Sequence, residues 1–310
     1  MIKPKFNLIK YIKGNVESNK EDIKQLLGML FPYFELRKRA VDVYIKDIEK
    51  SNLSPETKAF CILNVQKLFK ELKNQSSIVQ VAIQNIKKDT LLDISSGVKE
   101  EWLDRFMDSA KFVSDDSLQL IWGRILAGEF DNPGSTPSSM IRILSEINST
   151  YAKVFTNLCS LRRELIVLDE NDNQILYDDH IICPLVSNDN PFFNEMGIDY
   201  ETLQELDTIG LLAFDTNPGF DEVELPKGDK YIYICGILKQ IIEEVDRVPV
   251  GSIILTDAGK CLRRIINIEP NPGIISIDEK YMNEENLHYL IPSNCKVVIG
   301  EDNMPKIIKK

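Results

Sequence analysis

The hydrophobic pattern changes period part-way along the chain. Up to about residue 160, apolar positions recur every three or four residues. After Leu165 they come in short runs or alternate. The first spacing lines one face of a helix, and the second suits strands. Ser54-Pro55 has the chemistry of a helix start, an N-cap followed by proline at the first helical position. Cys61, Val65, Leu68 and Leu72 then form one stripe, and residues 76–88 read as a separate helix. Residues 22–50 predict one or two more helices with a break at Pro32. Residues 93–97 read as a joint.

Trp102, Phe106 and Ala110 share a face. Ser114-Asp115-Asp116 supplies a cap and acids suited to the positive end of a helix dipole. Leu118, Ile121, Trp122, Ile125 and Leu126 follow at helical spacing, with a stop expected at Gly128 and a turn at Asn132-Pro133-Gly134-Ser135. Met140, Ile143, Leu144 and Ile147 make one further stripe. Tyr151, Val154, Phe155 and Leu158 make another after Asn148-Ser149. Four short helices with tight joints imply a helical bundle.

Beyond this, residues 165–168 and 174–177 flank Asp169-Glu170-Asn171-Asp172-Asn173 as a hairpin over a polar loop. Residues 199–209 predict a short helix ended by Gly210, followed by strands at 211–214, 231–235 and 252–255. Thr256-Asp257-Ala258-Gly259 opens a last helix through Leu262, Ile265 and Ile266, and 296–299 is a final strand. The expected fold is α+β, an N-terminal helical bundle followed by an α+β domain. Its regions are 1–96, 97–165, 166–270 and 271–310.

Composition narrows the class. Hydrophobic residues are 43% and charged residues 27%, enough apolar surface to offset chain ordering, with no run approaching the ~18 residues of a membrane span. The first fourteen residues alternate Lys with apolar positions and do not read as a secretory signal, so a cytoplasmic location without membrane contact is expected. The net charge is -11, and it is segregated. Residues 169–229 hold sixteen acids and one base, Lys227, whereas the first 168 residues hold four more bases than acids. Such a block is either a solvated face or a docking surface for a basic partner, this protein's own N-terminal half included.

Catalytic patterns are sparse. The six cysteines form no Cys-x-x-Cys pair, and no Gly-x-Ser-x-Gly elbow or phosphate-cradling loop occurs. Of two histidines, His180 follows Asp178-Asp179, a weak metal-ligand candidate set. Asp221, Glu222, Glu224 and Lys227 have the residue types of a metal-dependent nuclease, but Pro218-Gly219 and Pro226-Lys227-Gly228 predict a loop around them. No cofactor is expected. Trp102 and Trp122 lie on core stripes and are read as packing. Glu129, ahead of Pro133-Gly134-Ser135, either braces that loop or, with Ser135, meets a partner.

Two resemblances add to this. Trp102-Leu103-x-x-Phe106, Val113-Ser114-Asp115, Leu120-Ile121-Trp122-Gly123-x-Ile125-Leu126-Ala127-Gly128-Glu129, Pro133-Gly134-Ser135, Ala152-x-x-Phe155 and Leu158-Cys159 together resemble the bacterial domain-of-unknown-function family numbered 2806. That resemblance implies no reaction. By analogy it suggests a mobile-element or phage-defence setting. Leu203-x-x-Leu206-x-x-x-Gly210-Leu211-Leu212, with Leu255-Thr256-x-Ala258-Gly259-Lys260-x-Leu262 about forty residues later, resembles a degenerate winged helix with an insertion near residues 236–244. A DNA reader needs Lys, Arg, Asn or Gln on its recognition helix. The candidate helix carries Asp199, Glu201, Glu205 and Asp207 with only Gln204 to help, so DNA binding there is disfavoured and Glu201, Glu205 and Asp207 are candidate partner contacts. The expected function is a non-enzymatic, self-associating interaction or regulatory protein. The alternatives are a metal-dependent hydrolase and a nucleic-acid-binding protein.

Overall fold

The computed structural model of the 310-residue chain describes residues 37–87, 97–177, 180–181, 191–214, 222–249, 251, 253–266, 268–284, 286–300 and 305–309. The expectation for Pro32 and that for the joint at 93–97, except its last residue, lie outside these residues. Helices fill the first part and strands the last, the α+β class that the change of period predicts. Two compact units divide the chain, 1–145 and 146–310, with the boundary inside the 97–165 region grouped by its helical pattern.

In the first unit, α1 (Arg37–Lys50) precedes α2 (Pro55–Asn85). Ser54 caps α2 by accepting from the Thr57 N–H, with Pro55 in the first turn. Helix α2 runs unbroken for 31 residues, where two helices were expected. Neither Gly nor Pro interrupts residues 56–85, and the Ser77 hydroxyl donates to Lys73 O along the helix instead of breaking it. Leu68, expected on the inner stripe, is 55% exposed. Burial begins only near Asn74, and Ile78, Val79, Ala82 and Ile83 then face the core.

That core is completed by α3 (Glu100–Ala110) and α4 (Asp116–Asp131). The buried amides of α2 serve the end of α3. Gln75 donates to Met107 O and Asn74 to Lys111 O, each at 2.8 Å, adding donors at the carbonyl-rich end of that helix. Asp115 caps α4 by accepting from the Ser117 and Leu118 N–H groups. The Phe106 ring lies 4.9 Å from Trp102 and 4.8 Å from the fully buried Trp122, so both indoles pack as their stripes suggest. Helix α4 does not stop at Gly128. It continues to Asp131, and the Asn132 N–H bonds back to Gly128 O. Helices α2 and α4 meet closely at Gly123, where any Cβ would overlap the Val81 side chain. The short α5 (Met140–Glu146) follows the expected turn.

In the second unit, Asn148 caps α6 (Ser149–Cys159) by accepting from the Tyr151 N–H. Cys159 is wholly buried, and burial pushes its thiol up to about 12. The strands β1 (Glu164–Leu168) and β2 (Gln174–Tyr177) form the expected hairpin, with Leu168 opposite Gln174. Next come β3 (His180–Ile181), the short α7 (Pro191–Glu195), α8 (Tyr200–Ile209) and β4 (Leu212–Phe214). They are followed by β5 (Glu222–Glu224), β6 (Asp229–Ile234), β7 (Ile237–Ile241), β8 (Arg247–Pro249), β9 (Ile253–Leu255) and α9 (Asp257–Ile265). The C-terminal part adds α10 (Ile274–Glu284), β10 (Tyr289–Leu290), β11 (Cys295–Ile299) and β12 (Pro305–Lys309).

The main sheet is antiparallel in the order β10-β7-β6-β1-β2. Strand β1 is buried along its whole length. Ile166, Leu168, Tyr231 and Cys295 form a core cluster against which Leu176, Tyr233, Leu238 and Ile307 pack. At the β2 border the Gln174 side chain donates to Pro305 O (2.8 Å) and accepts from the Ile307 N–H (2.9 Å), tying β12 to that strand.

A second sheet has the order β3-β9-β4. Asp199 caps α8, and Gly210 closes it at φ +95°, a left-handed position that glycine fills without steric cost. Thr256 then joins the two halves of this module. Its hydroxyl donates to Gly210 O at 2.7 Å and accepts from the Gly259 N–H at 3.1 Å, capping α9. The insertion between β4 and β9 is the β5–β8 pair plus the β6–β7 hairpin, and that hairpin belongs to the main sheet. Residues 222–224, expected in a loop, form β5 opposite Arg247–Pro249. Helix α9 is not the last helix, because α10 follows it. Arg163 and Asp278 pair at 2.7 Å with both side chains wholly buried, and the Tyr289 hydroxyl donates to the same carboxylate at 3.1 Å.

Candidate functional site

The hairpin loop between β1 and β2 meets the start of β6 and the segment after β7 in one groove. Its volume is about 780 Å³. Four carboxylates come from the acidic block, Asp169, Glu170, Asp172 and Asp229, and three from beyond it, Glu243, Glu244 and Asp246. Lys227, Lys230 and Lys309 are the lysines of the lining. Positive charge is therefore favoured in the groove, and a polyanion is repelled.

The acids differ in what they offer a ligand. Asp169 is turned into its own loop, accepting from the Asn171 and Asn173 N–H groups and the Asn173 side chain. The Asn173 bonds hold its carboxyl below the ordinary value. Asp172 takes the Lys309 ammonium, which also lies 3.4 Å from Asp229. The Asp172 bond raises the Lys309 pKa. Glu243 accepts from the His288 N–H at 2.8 Å and pairs with His288 Nδ1 at 2.7 Å. The backbone bond and then the ring lower the Glu243 pKa. Folding is favoured by this bond above the ordinary carboxyl range, and that benefit fades as pH falls through the lowered value. Glu170, Glu244 and Asp246 stand exposed.

The groove takes in none of the residues singled out as partner contacts. In the first unit, Glu129 is 4% exposed and both its oxygens serve the following turn, one accepting from the Gly134 N–H at 2.6 Å and the other from the Thr136 N–H at 3.0 Å. This is the loop-bracing arrangement. Replacing Glu129 by Ala should leave two N–H groups without their acceptor and cost about 2 kcal/mol, measured by urea unfolding, with Glu129→Gln losing less. Ser135 lies exposed on that turn, 3.5 Å from Gly128 O.

In the second unit, Glu201, Glu205 and Asp207 line the exposed face of α8 while Leu203 and Leu206 face inward. His180 opens β3 opposite Ile254, and Asp178, Asp179 and Asp221 lie outside the described residues. On α9, Lys260 pairs with Asp257, Arg264 is exposed and Arg263 is buried. Among the described residues, no group of three or more His, Cys, Asp and Glu converges to hold a metal ion, and no helix is long and apolar enough to cross a membrane.

The fold and groove define a mixed α+β protein with an acidic recess on its strand-rich unit. The chain belongs to the family described as Protein of unknown function (DUF2806), whose model matches residues 64–270. The match runs from within α2 to the stretch ahead of α10. No curated protein and no solved structure matches the chain.

Proposed function

We propose that this is a non-enzymatic protein-interaction or regulatory protein, self-associating and working in a bacterial defence setting. The groove is the observation that most supports the interaction reading. Its seven carboxylates outweigh three lysines, and exposed Ile242 beside them adds apolar contact. A surface of that kind suits a polypeptide carrying apolar and basic side chains. The α8–β4–β9–α9 module is winged-helix-like in this reading, and it presents Glu201, Glu205 and Asp207 where a DNA reader would need bases or amides. The bacterial defence setting rests on the family resemblance alone.

Light scattering at two salt concentrations, together with a pull-down using the whole chain as bait, tests the proposal. Association that weakens with salt is expected. A strictly monomeric protein that retains no other polypeptide would overturn it. Turnover of a nucleic acid or nucleotide on magnesium or manganese titration would put a metal-dependent hydrolase in its place. A salt-sensitive mobility shift would favour nucleic-acid binding.

A further inference from the structure

The first half of α2 leaves large apolar side chains in water: Phe60 is 68% exposed and Leu63 66%. With Lys67 and Lys70 they recur at intervals of three, four and three residues, which keeps all four on one helix face. Between Thr57 and Lys70 the helix carries three lysines and no acid. Lys67 makes only a loose 4.0 Å pair with Glu71 along the same helix. A symmetric pairing of this stripe with its own copy sets the lysines against each other when the helices are parallel, or against the partner's Phe60 and Leu63 when they are antiparallel, and neither is complementary. The surface that fits is apolar at one end and acidic at the other.

The strand-rich unit carries such a surface. The β10–β7 register sets Leu290 opposite Gln240, and the Ile242 N–H bonds to His288 O. Ile242 and Leu290 therefore share one face of the sheet at its border. They are 55% and 42% exposed. Glu244 and Asp246 follow directly, both exposed. The helical stripe from residue 60 to 70 is ~15 Å long, and residues 242–246 span at most ~14 Å, so the two run over similar lengths.

We infer that the α2 stripe of one copy docks on this border of a second copy, Phe60 and Leu63 against Ile242 and Leu290, and Lys67 and Lys70 against Glu244 and Asp246. The inference rests on the self-association proposed above and assigns its two surfaces. The contact is heterologous, so it propagates head to tail into rings or open chains.

Sedimentation velocity of the full chain over a concentration series tests it. Lys67→Glu with Lys70→Glu disables one surface, and Glu244→Lys with Asp246→Lys the other. All four side chains are exposed, so both variants should melt as the parent does. The parent should grow past the dimer with concentration. Each variant alone should associate at least about tenfold more weakly. An equimolar mixture of the two should grow past the dimer again, because the unaltered stripe of one meets the unaltered border of the other and the reversed stripe meets the reversed border. A chain with all four reversals should assemble again. Variants that assemble like the parent, or a mixture that stays monomeric, overturn the assignment and leave protein interaction standing. A monomeric parent overturns the inference, and together with an empty pull-down it removes the proposed function as well.

Discussion

Gly259→Ala should destabilise the strand-rich unit by about 3 kcal/mol, the upper part of the range for forcing a carbon into filled space. Ordinarily Gly→Ala inside a helix is favourable, because alanine has the better helix propensity. Here the sign reverses, since a Cβ at residue 259 would overlap the Leu211 carbonyl oxygen, a backbone atom that cannot rotate away. The same carbonyl accepts the Thr256 N–H, so moving it also disturbs the junction of α8 and α9. Thermal melting should show a fall of roughly 6–12 °C for that unit. Gly128→Ala is the matched control. It too sits within a helix, but a Cβ there meets nothing within 4 Å, so it should stabilise the chain by about 0.5–1 kcal/mol. Equal effects at both positions would mean that the close approach at Gly259 is wrong.

Asp278→Ala should be more damaging, at about 3–5 kcal/mol, because it leaves the fully buried Arg163 charge without its carboxylate. The Tyr289 hydroxyl loses its acceptor in the same step. Burial is the main cause of the raised Tyr289 pKa, so that ring stays neutral and gives the arginine no replacement charge. Arg163→Met combined with Asp278→Leu should recover most of the loss, since apolar packing of similar volume commonly matches a buried ion pair. Denaturant unfolding of Arg163→Met, of Asp278→Leu and of the double closes the cycle. Additive losses would show that the two side chains do not depend on each other.

Much of the architecture was legible because capping and period are local chemistry. Ser54, Asp115, Asn148, Asp199 and Thr256 all cap where their residue types suggest, each accepting from an N–H two or three residues ahead. Helix α10 was not legible. Its inward stripe is Ile274, Asp278 and Met282, and an acid at the centre hides the apolar pattern. That acid is buried because Arg163, 115 residues away, meets it, and no local rule reaches so far. Helix α2 runs through Ser76 and Ser77, where a separate helix is read from the sequence, because a serine that bonds back along a helix leaves it intact.

The groove was half legible. Charge counting found the acidic block, but Glu243, Glu244 and Asp246 lie where acids and bases balance, and only the β6–β7 hairpin returns them to the β1–β2 loop. The short run Glu243-Glu244-x-Asp246 was the available signal. Glu129 is a buried polar residue on a core helix. Sequence alone left open whether it braces the turn or meets a partner, and the structure shows both its oxygens in use there.

The glutamine bridge at β2 bears on how this protein avoids polymerising through its sheet. An amide side chain carries the same donor and acceptor as a peptide unit, so Gln174 offers Pro305 and Ile307 what a neighbouring strand would. That edge of β12 is thus occupied from within the same molecule, and another chain seeking to extend the β11–β12 ladder there finds those backbone groups already engaged.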